Sequence, residues 1–400
     1  MKRSANRILT THVGSLVRTP EIIETMIARE LGNPVDAEAH AEQLTAGVRE
    51  VVQRQANIGI DVVDDGEYGK VGWTPYLAER LNGLEPVDMR SMGDVGDLYP
   101  DAERFGDFYR EYQRQETTQW LPDTPSRAQY HGSLNLVALA CTGPIAYRPE
   151  ALERDIRNLR AALDGLEVEE AFIPVAAPCS VELFPNTYYE SQTDYLYALA
   201  SALSVEYRMI VDAGFILQVD DGVLPLRYFA SFRDKGLAEY KKWAQVRIEA
   251  LNHALSGIPE DRVRYHVCYG SQNVPHTTDP ELIDIIDLIL QVNAQGYALE
   301  SSSPRHEHEW QIWEDVKLPS GKILIPGVIS HCTNVVEHPK LIANRIAHYA
   351  DLVGKENVIA GTDCGFSQFW NLIRVHPQVQ WAKLEALSAG ARLASERLWR

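Results

Sequence analysis

Eight short apolar runs, each rich in β-branched residues and each followed by a helix-length stretch, recur along this chain of 400 residues. They fall at 7–15, 60–64, 171–178, 215–219, 263–268, 297–300, 323–329 and 358–362. Strands that alternate with helices pair in parallel, because each parallel connection has to cross back over the sheet. Eight such units make a (β/α)8 TIM barrel, an α/β architecture, the most economical fold. An open doubly wound sheet is the competing arrangement, yet no G-x-G-x-x-G or P-loop follows the first run.

Punctuation agrees with the alternation. Pro20 stands at a helix start, the periodic stretch 36–57 closes at Gly59, and the helix expected over 192–213 is capped by Gly214. Further helices are expected over 150–166, near Asp284 and Arg345, and over 382–397. Between the second and third barrel strands the period is lost. Residues 81–147 carry many aromatics, prolines and charges, and a structureless loop of that length does not suit a compact domain. This stretch is read as an insertion, or arm, over the barrel mouth, with the strand-like 134–141 as part of a hairpin and Cys141 as a structural thiol. The whole of 1–400 is then a single barrel domain.

Chemistry gathers where strands end. His266 and Cys268 in Tyr265-His266-Val267-Cys268, Glu300 in Ala298-Leu299-Glu300-Ser301, and Cys364 in Thr362-Asp363-Cys364-Gly365 each sit at or just after the end of an apolar run. In a parallel β/α barrel that rim carries the active site. One imidazole, two thiols and a carboxylate are a full ligand set for Zn2+, and the share of sulfur argues against magnesium or calcium. Taken singly, an H-x-C pair arises by chance and a strand cysteine is ordinary packing. Gly14-Ser15 ends the first strand, where a small residue lets backbone amides approach a ligand, so Ser15 is a candidate binding residue. The tract Pro304-Arg305-His306-Glu307-His308-Glu309-Trp310 invites a second metal site but lacks H-E-x-x-H spacing, and reads better as support for loops or for the ligands. Cys332, next to His331, is a spare thiol or plain core.

Taken together, His266-x-Cys268, Glu300 and Asp363-Cys364-Gly365 resemble the zinc signature of the cobalamin-independent methionine synthase family, catalytic half. Leu9-Thr10-Thr11-His12-Val13-Gly14-Ser15, Asp64-Asp65-Gly66-Glu67 and Leu217-Gln218-Val219-Asp220 resemble further strand ends of that family, in the same order. The resemblance implies that Glu67 and Asp220 contact the amino group of an amino-acid substrate, a role that suits carboxylates electrostatically. It also implies that His331 is the general acid, which an imidazole can be near neutral pH. A small thiol and an alkyl or methyl donor are the implied partners; in the family the reaction is methyl transfer from methyltetrahydrofolate to homocysteine.

The chain departs from that pattern in two places. It is too short for the second, N-terminal barrel of the folate enzymes, and where they stack a Trp on the pterin it carries Ala177-Pro178-Cys179-Ser180-Val181 and then Phe184. Single-barrel relatives include core methionine synthases and epoxyalkane:coenzyme M transferases. The expected activity is a zinc-dependent S-alkyltransferase, most of all an S-methyltransferase in which a homocysteine-like thiol attacks the donor. A zinc-dependent carbon–sulfur lyase or desulfhydrase, an epoxide-opening thiol transferase, and an idle zinc-binding scaffold stay open beside it.

Composition restricts the setting. With 45% hydrophobic residues the chain can bury a large core, and 56 acidic against 38 basic residues, net −18, disfavour nucleic acid or an anionic membrane surface as partners. Five cysteines are an odd number and two are claimed for metal, so a disulfide framework is not expected. The basic start Met1 to Arg7 leads into a strand and not into a long apolar segment, and no run is long enough to span a bilayer. A cytoplasmic enzyme is expected, with homo-oligomer formation left open.

Overall fold

The computed structural model describes residues 1–87, 101–116, 120–130 and 139–400. In chain order its strands are β1 (Leu9–Thr10), β2 (Val62–Val63), β3 (Leu81–Pro86), β4 (Leu139–Tyr147), β5 (Glu170–Ala176), β6 (Ile216–Asp220), β7 (Val263–Val267), β8 (Gly296–Leu299), β9 (Ile323–Ile329) and β10 (Ile359–Thr362). Eight of them form one parallel sheet in the order β1-β10-β9-β8-β7-β6-β5-β2, and a parallel bridge from Thr11 to Val62 joins its two edges. The result is a nearly closed (β/α)8 barrel. Regular ladder is shorter than the apolar runs at the start of the chain, where only Leu9–Thr10 and Val62–Val63 pair as strand. The C-terminal helix, Pro377–Leu398, begins earlier than 382, because Pro377 occupies its first turn and His376 caps it.

Alternation along the strands decides which side chains meet inside the barrel. Leu217, Val219, Val263, Tyr265 and Val267 point outward and join the main core under the helices. Phe172 and Ile216 pack with Val62 in a separate set, and Gln218, Asp220, Arg264 and His266 share their parity. On β7 the inward series therefore climbs from Arg264 through His266 to Cys268, just past the strand's end.

β3 and β4 pair antiparallel from Leu81↔Tyr147 to Pro86↔Leu139, outside the barrel sheet. The helix Ala102–Glu116 is tied to the loop after β7, where Asp101 accepts from the Thr277 amide at 2.9 Å and the Tyr112 hydroxyl accepts from the Asn273 amide at 3.0 Å. The rest of the expected insertion, residues 88–100, 117–119 and 131–138, lies outside the described residues, and with it most of the strand expected over 134–141. Among the described residues no helix is long and apolar enough to cross a membrane.

Arg80, at the end of the short helix Leu77–Arg80, fastens β3 to the barrel's outer layer. Its guanidinium is buried, pairs with Asp155 at 2.5 Å and also with Glu206, and so bridges the helices Glu150–Ala162 and Gln192–Asp212. Removing the cation strands two buried carboxylates. Arg80→Ala should therefore cost about 3–5 kcal/mol, read as a lower urea midpoint, because an uncompensated buried charge is worth that much. A midpoint equal to the wild type's would show that β3 is held by other contacts.

Candidate metal centre

His266, Cys268 and Cys364 each present a ligand atom, and these atoms all lie within 4.8 Å of one another; all three residues are buried. The trio is assembled from two strand ends: β7 supplies His266 and Cys268 by its inward alternation, and Cys364 follows β10 by two residues. Val13, past β1, packs against both sulfurs.

The imidazole is oriented from below. His266 Nδ1 lies 3.0 Å from Asp220 Oδ1, the same oxygen accepts from Gln218 Nε2 at 2.7 Å, and Gln218 Oε1 accepts from Arg264 Nε at 2.6 Å. Burial opposes charge on His266, but the hydrogen bond and negative charge of Asp220 outweigh it and raise its pKa. Nε2 lies 3.2 Å from the Asp363 carbonyl, so with Nδ1 held by Asp220 it is Nε2 that would give up its proton to ligate a metal. The two thiols titrate as a pair: the hydrogen bond from Cys364 pulls Cys268 down to about 7 against burial, and Cys364 is pushed up in return.

Glu300, just past β8, is buried nearby but is not one of the trio. Its Oε2 accepts from the Tyr269 amide at 3.1 Å, and burial, reinforced by Asp363, raises its pKa to about 8. A carboxyl so disfavoured as an anion is one that a cation would ionise. His331, just past β9, is fully buried, with no hydrogen-bond partner on either ring nitrogen, and burial followed by the charges of His266, His276 and Lys383 lowers its pKa to about 3. It stands neutral, and has to take up a proton before it can give one. One imidazole nitrogen and two thiols in a dry site, with a destabilised carboxylate beside them, fit a soft divalent cation such as zinc.

The expected substrate residues lie on neighbouring rims. Ser15 Oγ accepts from the Ser367 amide at 3.3 Å, and a Cβ on Gly365 would come within 2.3 Å of that oxygen. Glycine at 365 thus lets the Cys364 turn close against Ser15, which braces that turn. Glu67 occupies the left-handed region at φ 57°, in a turn where Asp64 accepts from the Gly66 amide and Asp65 from the Glu67 amide, each at 2.9 Å. Its carboxylate is 3.3 Å from Lys70 Nζ; burial raises its pKa, Lys70 lowers it and Asp220 raises it again. Glu67 and Asp220 are therefore close enough to repel, an arrangement that welcomes an ammonium group.

Several supporting residues were not read from the sequence. Buried Arg18 donates to the carbonyls of Glu67 (2.9 Å), Lys70 (2.6 Å) and Ser367 (3.3 Å), stitching three rim loops together. Gln218 had a signal, since it precedes Asp220 by two residues and so shares its face. Of the Pro304–Trp310 tract, His308 is exposed, whereas His306 binds Asp279 at 3.0 Å and Glu309 at 3.1 Å and stacks on Tyr269 with ring centroids 3.8 Å apart. His276 joins the same Asp279 oxygen at 2.9 Å. This network props the loop that follows Cys268.

A parallel barrel with two buried thiols and an oriented imidazole at its C-terminal mouth carries a ligand set that a metal ion would fit. A family model, "Cobalamin-independent synthase, Catalytic domain", matches residues 185–380, a span that holds Asp220, His266, Cys268, Glu300, His331 and Cys364. A methionine synthase from Sulfolobus acidocaldarius is 26% identical over 286 residues, covering 70% of this chain and 68% of that protein. A 5-methyltetrahydropteroyltriglutamate–homocysteine methyltransferase from Thermotoga petrophila is 23% identical over 376 residues, 89% of this chain but only 41% of that longer enzyme. In fold, the chain is similar to a B12-independent methionine synthase from Shewanella sp. W3-18-1, solved in complex with selenomethionine, with a TM-score of 0.68 at 18% identity over 98% of this chain and 99% of the other. Its second half is thus similar to the catalytic domain of the cobalamin-independent methionine synthases, and most of its length to proteins of that name.

The propping network carries a pH signature. Burial works to lower the pKa of His276, but the hydrogen bond and charge of Asp279 raise it to about 9, above the ordinary 6.5. A folded-state pKa that is raised gives stability fully present below the unfolded value and lost as pH climbs through the folded one. The melting temperature of the wild type should thus fall between pH 6.5 and about 9 more steeply than that of His276→Gln. Parallel curves for the two proteins would show that His276 is neutral in the fold.

Proposed function

We propose that this chain is a zinc-dependent thiol S-methyltransferase whose acceptor is a small, amine-bearing thiol of the homocysteine kind. The observation that carries the reading is the buried trio His266, Cys268 and Cys364, with Asp220 fixing the imidazole. The relatives named methionine synthase and homocysteine methyltransferase support the choice of acceptor. In balance, the sulfur–carbon bond of a thioether forms, the bond from the alkyl carbon to its carrier breaks, and the thiol proton goes to the departing carrier.

His266, Cys268, Cys364 and Glu300 would hold the ion. When bound, zinc lowers the pKa of a coordinated substrate thiol, so that a nucleophilic thiolate exists at neutral pH. The protein's own groups do the remainder. Glu67 and Asp220 hold the acceptor's ammonium, with one Asp220 oxygen still committed to His266. Ser15 keeps the Cys364 turn in place. His331, neutral and without a partner, takes up a proton and passes it to the carrier, a general-acid role that starts from the basic form. Five cysteines without a disulfide suit a reducing compartment, and a cytoplasmic enzyme acting on a small thiol and a methyl donor, with no nucleic acid or membrane partner, follows from that and from the acidic surface.

Metal analysis and X-ray absorption at the zinc edge test the reading directly. The purified protein should hold zinc, and adding homocysteine should bring one more sulfur into the metal's shell; an unchanged shell would mean a different thiol or a different reaction. Cys364→Ser should weaken metal retention by more than the 10–100-fold typical of residues that merely support a ligand. Metal content and activity that survive this change would sink the site. Glu67→Gln should raise KM for an amine-bearing thiol about tenfold, as the loss of a charge-assisted contact predicts, while leaving metal content unaltered.

A further inference from the structure

We infer that Asp363 is a positioning residue for the proposed metal centre, one that fixes Glu300 against Cys364 by holding together the two turns that carry them. The inference rests on the zinc reading for what those two side chains do, but the contacts that support it do not. Asp363 is fully buried. Its Oδ1 accepts from the amides of Ser301 at 2.9 Å and Ser302 at 2.8 Å, and its Oδ2 accepts from Ser302 Oγ at 2.5 Å. The two serines directly follow Glu300, and Cys364 directly follows Asp363. One carboxylate thus joins the turn of one proposed ligand to the turn of another.

Strand pairing cannot make this link, because β8 and β10 are not neighbours and β9 lies between them. The carboxylate passes over β9 at Gly327, where a Cβ would run into Oδ1 and come within 2.6 Å of the Asp363 backbone. Glycine at 327 therefore keeps the crossing open. The Glu300 turn is also pinned from behind: Ser301 Oγ donates to the Gly327 carbonyl at 2.8 Å, and Arg345 donates to the Ser302 carbonyl at 3.4 Å. On the other side, the Asp363 carbonyl lies 3.2 Å from His266 Nε2, so a third strand end meets the same residue. An aspartate next to a cysteine could itself be a ligand. With both oxygens committed to three donors, and outside the cluster of His266, Cys268 and Cys364, Asp363 instead holds the residues that face the ion. The link is stiff, since releasing it would leave buried amides and a buried carboxylate unanswered.

A double-mutant cycle on metal affinity separates positioning from general stability. The full-length protein, stripped of metal, is titrated with Zn2+ against a chromophoric chelator. Asp363→Ala should weaken zinc binding by about 10–100-fold, the range for residues that orient a ligand. Glu300→Gln should weaken it too, and in that background Asp363→Ala should cost markedly less, because the turn it releases no longer presents a carboxylate. Asp363→Asn should recover most of the affinity, since its amide oxygen can accept from both serine amides and its NH2 can donate to Ser302 Oγ. Ser302→Ala removes only the hydroxyl's bond; it should give a smaller loss with the same dependence on Glu300, and serves where Asp363→Ala does not fold. In the metal-free proteins, amide hydrogen exchange over 299–303 should be faster in Asp363→Ala than in the wild type. Wild-type affinity in Asp363→Ala, losses that simply add across the cycle, or unchanged exchange over that segment would overturn the inference. Failure of the methyltransferase reading would show separately, as a metal shell unchanged by homocysteine while the coupling between Asp363 and Glu300 persists.

Discussion

A guanidinium buried inside the barrel is the constraint on which the mouth depends. Arg264 is fully enclosed, lies 3.5 Å above the centre of the Phe172 ring, and donates to Gln218 at 2.6 Å, to Thr11 Oγ1 at 2.9 Å and to the His12 carbonyl at 2.6 Å. Burial lowers its pKa to about 9, still high enough to keep it charged at neutral pH. A buried cation must have its donors answered, so β1, β6 and β7 are locked in one register around it. Gln218 passes that order upward, since its carbonyl is spent on Arg264 and its amide is then free to fix Asp220. Asp220 in turn decides which nitrogen of His266 faces the sulfurs.

Above that layer the problem is reversed, because the rim carries more acid than base. Asp64, Asp65, Glu67, Asp220 and Glu300 crowd the mouth, and burial raises the pKa of Asp64 well above its ordinary value and that of Asp65 to about 6. Lys70 and Arg18 offset part of the charge, yet Arg18 spends its donors on carbonyls, so it organises the loops more than it neutralises them. What remains is a buried recess, rich in carboxyl groups that a nearby cation would ionise, beside two thiols. Such a recess gains stability from a divalent cation and an ammonium together, which is the pairing that an amine-bearing thiol bound to zinc would bring.

The fold was legible because the barrel repeats one physical unit, and each repeat announced itself by a β-branched run and a capped helix. Strand ends were less legible: β1 and β2 contribute only two regular residues each, since closure there rests on single bridges that leave no pattern in composition. Cys268 and Cys364 were singled out because both fell at strand ends in a pattern that resembles a known zinc signature, and the structure brings them together with His266. Glu300 was read as a fourth ligand, and the structure sets it beside the trio, bound to the Tyr269 amide. Arg18 and Lys70 were invisible as site residues for a different reason. Their roles depend on which loops the barrel brings side by side, as when Arg18 meets the carbonyls of Glu67, Lys70 and Ser367.

This division of labour has a consequence for how the site can change. His266 and Cys268 are placed by strand alternation and by a buried charge below them, so moving either would break register and core at once. Glu67 is placed by the turn after β2, so a substitution there alters the rim without touching the strands that position His266 and Cys268. A barrel built this way can keep one nucleophile chemistry while its rim is refitted for different partners. The two demands differ in precision: side chains that would ligate a metal need placement to fractions of an ångström, which strands supply, whereas the loops around them can be exchanged without disturbing that placement.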